Sequence, residues 1–404
     1  MSKRIIIIGA GQAGASLAIK LRSLGHTGPI TLIGKEPALP YERPPLSKAY
    51  LLGKVDQQRL YLRPQAFYED HRIDVITGTQ VDAIDRQRQA VSVAGQWLDY
   101  DMLALTTGSV PRRLPASVGG ELPGVFSVRT LADVDAMARA CQPGGHALIV
   151  GGGYIGLEAA AVFRTLGMAV TLVEAAPRIL QRVAAAQTSD YFRALHQIQG
   201  VDIREGTGLN SLLGSDQITG ARLADGSELR VDLAVVGIGV EPATALAADA
   251  GLALDNGIVV DAMGRSSDPA IWAAGDCTSF LYKGRRIRLE SVPNAIDQAN
   301  LVAENMMGAG KDYLPQPWFW SDQYEVKLQI AGLNTGYDRI VVRPGPKEGS
   351  VSHWYYLGEQ MLAVDAMNDP RSFMVAKRLL ESGVSADPAV ISDPAFNLKD
   401  LLSS

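Results

Sequence analysis

The hydrophobic residues of this chain fall first into a short unbroken run, Ile5–Ile8, which leads into alanines and glycines. An apolar run bounded by glycine is typical of a strand buried on both faces. Over 15–24 apolar residues recur with the spacing of an α-helix, up to Gly25. A second short apolar run follows at Ile30–Ile33. This order predicts a strand, a helix and a parallel strand, which is the βαβ unit.

The same order recurs in the middle of the chain. An apolar run at 147–150 precedes the glycine-rich segment 151–156, a helix-period stretch covers 157–166, and another apolar run follows at 170–173. β-branched runs predict further strands at 229–236 and 257–260. Two βαβ units in one chain predict parallel sheets of the doubly wound α/β kind.

The last part of the chain follows a different pattern. Short strand-like segments at 326–330, 339–342 and 354–357 read as antiparallel strands, and a helix is predicted over 372–381. We therefore expect a third, smaller α+β domain, entered near the proline-containing segment 314–317.

Each βαβ unit carries the motif GxGxxG between its first strand and its helix. The glycines are Gly9, Gly11 and Gly14 in the first unit and Gly151, Gly153 and Gly156 in the second. The first glycine makes the turn, the second admits a pyrophosphate, and the third lets helix and strand pack closely. One copy is weak evidence, because glycines also mark ordinary turns, but two copies predict two dinucleotide sites.

An acid after the second strand of each unit distinguishes the two sites. Glu174 ends the strand 170–173, where a carboxylate accepts from ribose hydroxyls and repels a 2′-phosphate, so NADH is expected rather than NADPH. In the first unit Glu36 is the expected ribose ligand, with Lys35 beside it; for both acids the alternative is a solvated strand end. Two sites predict a resident FAD and an exchanging NADH.

A third signal concerns the flavin itself. The segment 257–261 leads to 268–276, a strand that delivers Asp276 after a small residue, and this carboxylate is expected to accept from the flavin ribityl hydroxyls. The alternative is that Asp276 caps a helix beginning at Cys277.

Composition and charge exclude several classes of protein. The 404 residues exceed one ordinary core, and the net charge of −5 argues against broad nucleic-acid binding. The two cysteines form no CxxC pair, so neither a disulfide framework nor a metal site is expected. The apolar N-terminus imitates a secretory signal but completes a strand, and no apolar run reaches membrane-spanning length. We expect a cytoplasmic protein.

Four segments together resemble the oxygenase-coupled NADH–ferredoxin reductases over essentially the whole chain. They are 39–48, 151–158, 290–295 and 319–324. The resemblance implies a glutathione-reductase-like flavoprotein with two dinucleotide-binding domains and a C-terminal α+β domain. The implied boundaries are 1–110 and 240–317 for the FAD domain, 111–239 for the NAD domain and 318–404 for the C-terminal domain.

The resemblance also implies site residues. Besides the first glycine loop with Lys35 and Glu36, those implied for FAD are Ala13, Arg43, Lys48, Val81, Arg129, Asp276, Val292 and Trp320. Those implied for NADH, besides the second loop and Glu174, are Tyr154, Ile155, Glu158 and Gly239. Lys48, Glu158 and Trp320 are the expected catalytic residues. Lys35 departs from the family, which usually has an acid at that position.

Physical roles follow for several of these residues. Arg43 suits a pyrophosphate, although an ordinary surface cation is the alternative. Lys48 is expected near the flavin ring and paired with Glu158, which would hold the nicotinamide carboxamide; an ordinary interdomain ion pair is the alternative. Trp320 and Phe319 are expected over the flavin edge, although isolated aromatic residues are more often core.

The expected electron acceptor is a protein. Relatives of this fold that reduce disulfides or peroxide need cysteine beside the flavin, and the segment 41–48 has none, so electrons must leave from the flavin. We expect a [2Fe-2S] ferredoxin, docked near Arg285, Arg286 and Arg288 unless these form only a solvated loop. Rubredoxin, a quinone or another small molecule, and a non-catalytic NADH-sensing flavoprotein resembling apoptosis-inducing factor are alternatives. A monomer or weak dimer is expected.

Overall fold

The computed structural model describes residues 2–402 and divides them into two compact units. The first unit consists of residues up to 43 together with 55–110 and 240–315, and the second of 44–54, 111–239 and the remainder from 316 onward. The short strands Ser109–Pro111 and Val240–Pro242 stand in the sequence where the chain passes between units.

The first unit is built on a five-stranded parallel sheet. In spatial order its strands are Ile271–Ala273, Met102–Leu105, Ile5–Ile8, Ile30–Ile33 and Ile73–Ile76. The helices Gln12–Ser23 and Val292–Met306 pack on one face through a core of apolar residues, among them Leu17, Leu21 and Val302. Strand Ile5–Ile8 is buried at all four positions, which explains its unbroken run of isoleucine.

Smaller elements complete the first unit. Its antiparallel three-stranded sheet contains Val81–Asp85, Ala90–Val93 and Gln96–Asp99. A second small sheet contains Ile258–Val259, Thr278–Tyr282 and Arg285–Ile287. The shorter helices are Gln65–Asp70 and Ala245–Asp249, with a 3₁₀ turn at Gln57–Leu60.

The second unit repeats the central arrangement. Its parallel strands, in spatial order, are Val201–Glu205, Ala169–Glu174, His146–Val150, Leu233–Val236 and Val125–Phe126. An antiparallel sheet is formed by Leu209–Gly214, Ile218–Leu223 and Glu228–Arg230. The helices here are Leu131–Ala140, Tyr154–Thr165 and Ala186–Ile198, with 3₁₀ turns at Pro44–Ser47 and Ala116–Val118.

The C-terminal part of the second unit is a five-stranded antiparallel sheet with helices, as expected from its pattern. In spatial order the strands are Trp318–Gln323, Val326–Gly332, Gln360–Met367, Val351–Leu357 and Arg339–Pro344. The helices Pro370–Ser382 and Pro388–Ser392 and the 3₁₀ turn Leu398–Leu402 follow. Among residues 2–402 no helix combines the length and the apolar character that crossing a bilayer requires.

One predicted strand and two predicted helices need correction. The single strand predicted over 229–236 is two strands, Glu228–Arg230 in the antiparallel sheet and Leu233–Val236 in the parallel one. Between them lies Asp232, which accepts a hydrogen bond from the His146 backbone N–H at 2.8 Å where the chain passes from one sheet to the other. The helices predicted from 15 and 157 begin three residues earlier, at Gln12 and Tyr154, because they start inside the glycine motifs.

Candidate active site: two glycine loops and a buried ion pair

In the first glycine loop, two glycines are required by the packing of the protein itself and one leaves open space. Gly9 has φ of +111°, and a Cβ there would lie 2.2 Å from the Thr106 carbonyl oxygen. A Cβ on Gly14 would lie 2.0 Å from the Gly9 carbonyl oxygen. A Cβ on Gly11, in contrast, would meet nothing within 4 Å. The protein's own packing therefore requires the first and third glycines, whereas the open space at the second suits a pyrophosphate.

The second loop repeats this division. Gly151 has φ of +105°, and its Cβ would lie 2.5 Å from the Gly237 carbonyl oxygen. A Cβ on Gly156 would lie 2.2 Å from the Gly151 carbonyl oxygen, whereas a Cβ on Gly153 would again meet nothing within 4 Å. Each loop thus leaves room at the same motif position.

The helix that follows each loop presents uncapped N–H groups. Gly11 and Gly153 are the N-cap residues of the helices Gln12–Ser23 and Tyr154–Thr165, and neither helix has a side-chain cap. First-turn N–H groups without a cap, together with the helix dipole, favour a bound anion. Both loops therefore fit the pyrophosphate of a dinucleotide.

The two acids predicted at the adenosine ends are held differently. Glu174 accepts from the Gly152 N–H at 2.7 Å and from the Ala176 N–H at 2.8 Å, so it is fixed against its own glycine loop. Glu36 accepts from the Tyr41 hydroxyl at 2.5 Å and from Arg43 Nη2 at 2.6 Å. Arg43 therefore pairs with an acid of its own unit.

Asp276 lies beside the first loop. It follows Gly275, whose added Cβ would lie 3.1 Å from the Cβ of Ala13, and it accepts a hydrogen bond from Ser109 Oγ at 3.0 Å. The alternative role as a helix cap is wrong, because the strand Thr278–Tyr282 follows instead of a helix. The turn thus brings a carboxylate to the glycine loop.

Lys48 and Glu158 form the ion pair expected from the sequence, and both lie in the second unit. Lys48 Nζ lies 2.6 Å from Glu158 Oε2, and the Glu158 side chain is 6% exposed. Two hydroxyl groups complete its environment: Ser47 Oγ donates to Oε2 at 2.7 Å and Ser321 Oγ donates to Oε1 at 2.7 Å. A carboxylate this deeply buried requires such donors, because an unpaired buried charge is costly.

Aromatic side chains gather on the strand Trp318–Gln323. The rings of Trp318 and Trp320 are 5.6 Å apart, and the ring of Phe319 lies 5.1 Å from that of Tyr154. All four residues are partly buried. Burial raises the pKa of the Tyr154 hydroxyl well above its usual value, so this phenol stays neutral.

The remaining predicted residues are distributed over both units. Val81 is buried in the first unit, where Val292 begins the helix Val292–Met306. Arg129 precedes the helix Leu131–Ala140 in the second unit, Ile155 is exposed, and Gly239 accepts a backbone hydrogen bond from Arg112. Of the residues predicted for FAD, Lys48, Arg129 and Trp320 belong to the second unit and the others to the first.

Of the three arginines predicted for ferredoxin docking, Arg285 is exposed to solvent and the other two contact groups of the protein itself. Arg285 is exposed on the hairpin of the strands Thr278–Tyr282 and Arg285–Ile287. Arg286 Nη1 donates to the Ser279 carbonyl at 2.8 Å. Arg288 Nη1 lies 2.6 Å from Glu290 Oε1, and only 12% of its side chain is exposed.

Neither cysteine is suited to thiol chemistry. Cys277 is fully buried, donates to backbone carbonyls and has its pKa raised by burial. Burial raises the pKa of Cys141 to about 11. Both thiols are free and stay protonated near neutral pH.

Ser47 and Ser321 could not be assigned a role from the sequence, although both lie in segments that carry the resemblance. The same is true of Gln323 and His196, which extend the hydrogen bonding beyond Ser321. The available signal was a serine and a glutamine at alternate positions of a segment rich in aromatic residues.

The duplicated glycine loops define a protein that binds two dinucleotides, and comparison with known proteins names its class. Residues 3–299 match the model of the pyridine nucleotide-disulphide oxidoreductase family, and residues 318–402 match the reductase C-terminal domain. The chain belongs to this family.

Among its relatives, rhodocoxin reductase of Rhodococcus erythropolis is 42% identical, over 98% of this chain and 93% of that protein. Putidaredoxin reductase of Pseudomonas putida is 41% identical, over 99% and 97%. The solved structure of the covalent putidaredoxin reductase–putidaredoxin complex matches with a TM-score of 0.96 at 40% identity, covering 99% of this chain and 98% of that one. The glutathione-reductase-like fold expected from the sequence is confirmed.

Proposed function

We propose that this protein is an FAD-dependent NADH:ferredoxin oxidoreductase that supplies single electrons to a [2Fe-2S] ferredoxin serving a monooxygenase or dioxygenase. The observation that carries the proposal is the pair of glycine loops, each open at its second glycine, in a chain whose two cysteines are buried or half-buried and protonated. Relatives that share the full length of the chain are named for reducing small redox proteins. A location in the cytoplasm is part of this proposal.

The first unit holds FAD in this proposal. The N–H groups after Gly11 bind the pyrophosphate, and Asp276 accepts from the ribityl hydroxyls. Val81 and Val292 supply apolar contacts. A bound flavin takes two electrons from NADH and releases them one at a time, which matches a one-electron acceptor. The first compact unit has breaks in the chain at 110 and 240, which supports the boundaries that the resemblance implies for the FAD domain.

The second unit holds NADH. Gly153 leaves room for the pyrophosphate, and Glu174 faces the adenosine ribose, where its charge disfavours a 2′-phosphate. Glu158 orients the nicotinamide carboxamide, and Lys48 balances its charge in a site where water is largely excluded. Three donors, from Lys48, Ser47 and Ser321, hold the Glu158 carboxylate in place, so little reorganisation is needed on binding.

The ferredoxin docks against the hairpin of residues 278–287. Lys283 and Arg285 are exposed there, and Leu281, which pairs with Arg286 in the same hairpin, is 64% exposed. An apolar side chain beside two cations suits an acidic partner surface, because the cations steer the encounter and the leucine is buried on contact. Arg286 and Arg288 support the hairpin through their intramolecular partners.

Anaerobic stopped-flow experiments test the overall function. The purified protein is reconstituted with FAD, reduced with one equivalent of NADH and mixed with a [2Fe-2S] ferredoxin, a rubredoxin or a quinone in parallel. The ferredoxin is expected to reoxidise the flavin fastest. Faster transfer to rubredoxin or quinone would replace the acceptor, and failure to bind FAD or to be reduced by NADH would refute the proposal.

A charge reversal tests the docking surface separately. Arg285→Glu is expected to slow ferredoxin reduction by about tenfold at low salt, and much less at high salt, because steering is screened. Ferricyanide reduction should be unchanged. Arg222→Glu is the matched control, because Arg222 is also exposed on an antiparallel hairpin but lies elsewhere in the chain. Equal loss of ferredoxin and ferricyanide reduction in Arg285→Glu would contradict the docking assignment.

A further inference from the structure

The strand Trp318–Gln323 buries its polar residues instead of its aromatic ones. Ser321 and Gln323 point to the same side and are fully buried, whereas Trp318 and Trp320 are only partly buried. Burying polar groups stabilises a fold only when each is hydrogen-bonded, and apolar residues would fill this face more simply. The inverted pattern therefore calls for an explanation beyond packing.

These side chains continue the hydrogen bonding of Glu158 within the second unit. Gln323 Nε2 donates to Ser321 Oγ at 3.2 Å, and Gln323 Oε1 lies 2.8 Å from His196 Nε2. His196 is 0% exposed on the helix Ala186–Ile198, and its Nδ1 lies 3.4 Å from the Tyr324 hydroxyl. Tyr324, His196, Gln323 and Ser321 thus form one line of hydrogen bonds that ends at Glu158 Oε1.

The carboxylate fixes the direction of every hydrogen bond in this line. Glu158 can only accept, so Ser321 donates to it and must itself accept from the Gln323 amide. The Gln323 carbonyl then accepts from His196, which carries its proton on Nε2 and accepts at Nδ1 from Tyr324. Burial lowers the pKa of His196 to about 4, so the ring is neutral and adds no charge to compete with Lys48.

We propose that Ser321, Gln323 and His196 are positioning residues that hold the Glu158 carboxylate, and through it Lys48, in the orientation required for hydride transfer from NADH. This inference rests on the proposed function, in which Glu158 orients the nicotinamide. Aligned hydrogen bonds polarise one another in a medium of low dielectric constant, so the line strengthens the bond to Oε1. Lys48 and Ser47 meanwhile hold Oε2.

Paired variants test the inference. Ser321→Ala and Gln323→Leu are expected to slow flavin reduction at saturating NADH by about tenfold, whereas the dissociation constant for NAD⁺ changes little because the glycine loop sets it. Ser321→Thr, which keeps the hydroxyl, should restore most of the rate. Ser352→Ala is the matched control: Ser352 is equally buried in the same sheet, but its Oγ accepts from Trp354 instead.

A spectroscopic measurement tests the line independently of turnover. Nitrogen-15 NMR of the ring nitrogens should show His196 as the Nε2-protonated tautomer in the holoenzyme. This signal should shift in Gln323→Leu and stay unchanged in Ser352→Ala. An Nδ1-protonated or charged His196 in the unaltered protein would overturn the direction of the line and with it the inference.

Glu158→Gln separates this inference from the function on which it rests. If Glu158→Gln slows flavin reduction but Ser321→Ala and Gln323→Leu behave like Ser352→Ala, the positioning inference fails and the role of Glu158 stands. If Glu158→Gln also leaves flavin reduction unchanged, the proposed role of Glu158 fails first.

Discussion

Replacing Asp365 by asparagine is expected to stabilise the protein above neutral pH. Asp365 is 1% exposed, and its Oδ2 accepts from Thr188 at 2.7 Å and from the Tyr355 hydroxyl. Its Oδ1 is buried and has no hydrogen-bond partner within the described chain. Burial raises the pKa of Asp365 to about 6, although its two donors act in the opposite direction.

The sign of the effect follows from proton linkage. The pKa of this carboxyl is higher in the folded protein than in the unfolded chain, so the unfolded chain ionises first as the pH rises through 4 to 6. Ionisation of Asp365 therefore costs the folded state about 3 kcal/mol at pH 8 and about half of that at pH 5. Asparagine keeps an oxygen for Thr188 and Tyr355 and carries no charge, so it removes this cost.

Urea-induced unfolding of both proteins at pH 5 and pH 8, followed by circular dichroism, provides the measurement. The stability of Asp365→Asn relative to the unaltered protein should rise by about 1–2 kcal/mol between these pH values. The neighbouring His353 has its pKa lowered to about 4 by burial, so it favours folding as the pH rises to about 6.5 in both proteins and cancels in the difference. A difference independent of pH would refute the buried, titrating carboxyl.

Three further changes test the loops and the ion pair. Gly156→Ala should prevent stable folding, which thermal denaturation would show, because its Cβ would lie 2.2 Å from a backbone oxygen. Gly153→Ala should unfold at the same temperature as the unaltered protein but bind NADH about tenfold more weakly, as measured by titration. Glu174→Ala should lower the ratio of kcat/KM for NADH to that for NADPH by about tenfold; an unchanged ratio would remove its role. Lys48→Met should lower the unfolding free energy by about 3 kcal/mol, measured in urea, because it leaves Glu158 buried without its cation. Lys20→Met, at an ion pair whose acid is more exposed than Glu158, should cost less than about 1 kcal/mol.

Elements that depend on a local pattern of residues could be predicted from the sequence. The two βαβ units could be predicted because an isoleucine run such as Ile5–Ile8, a glycine motif and a helix period occur together, and the structure confirms them. The split of 229–236 could not be predicted, because Leu229, Val231 and Leu233 alternate with polar residues without interruption across the point where the two strands separate.

The site was predictable only where residue type carries the chemistry. The pairing of Lys48 with Glu158 could be expected from a resemblance, but their further partners come from distant positions, so no local pattern brings them together. Gln323 reads as an ordinary polar position of a strand, and burial of that position is a tertiary property. For the same reason Arg286 and Arg285 look equivalent in sequence, although only Arg285 is exposed.

The two loops share their glycine geometry but differ in what holds the adenosine end, and this difference matches the two kinds of cofactor. Glu174 accepts from the Gly152 N–H of its own loop, and a loop ordered in this way suits the proposed NADH, which must bind and leave at little conformational cost. In the first unit the carboxylate of Glu36 is held by Tyr41 and Arg43, residues that follow in the chain and draw that segment against the strand end. An adenosine site closed by such a segment is suited to a cofactor that stays bound. The residues after each second strand therefore fit the proposed assignment of a resident cofactor to the first loop and an exchanging cofactor to the second.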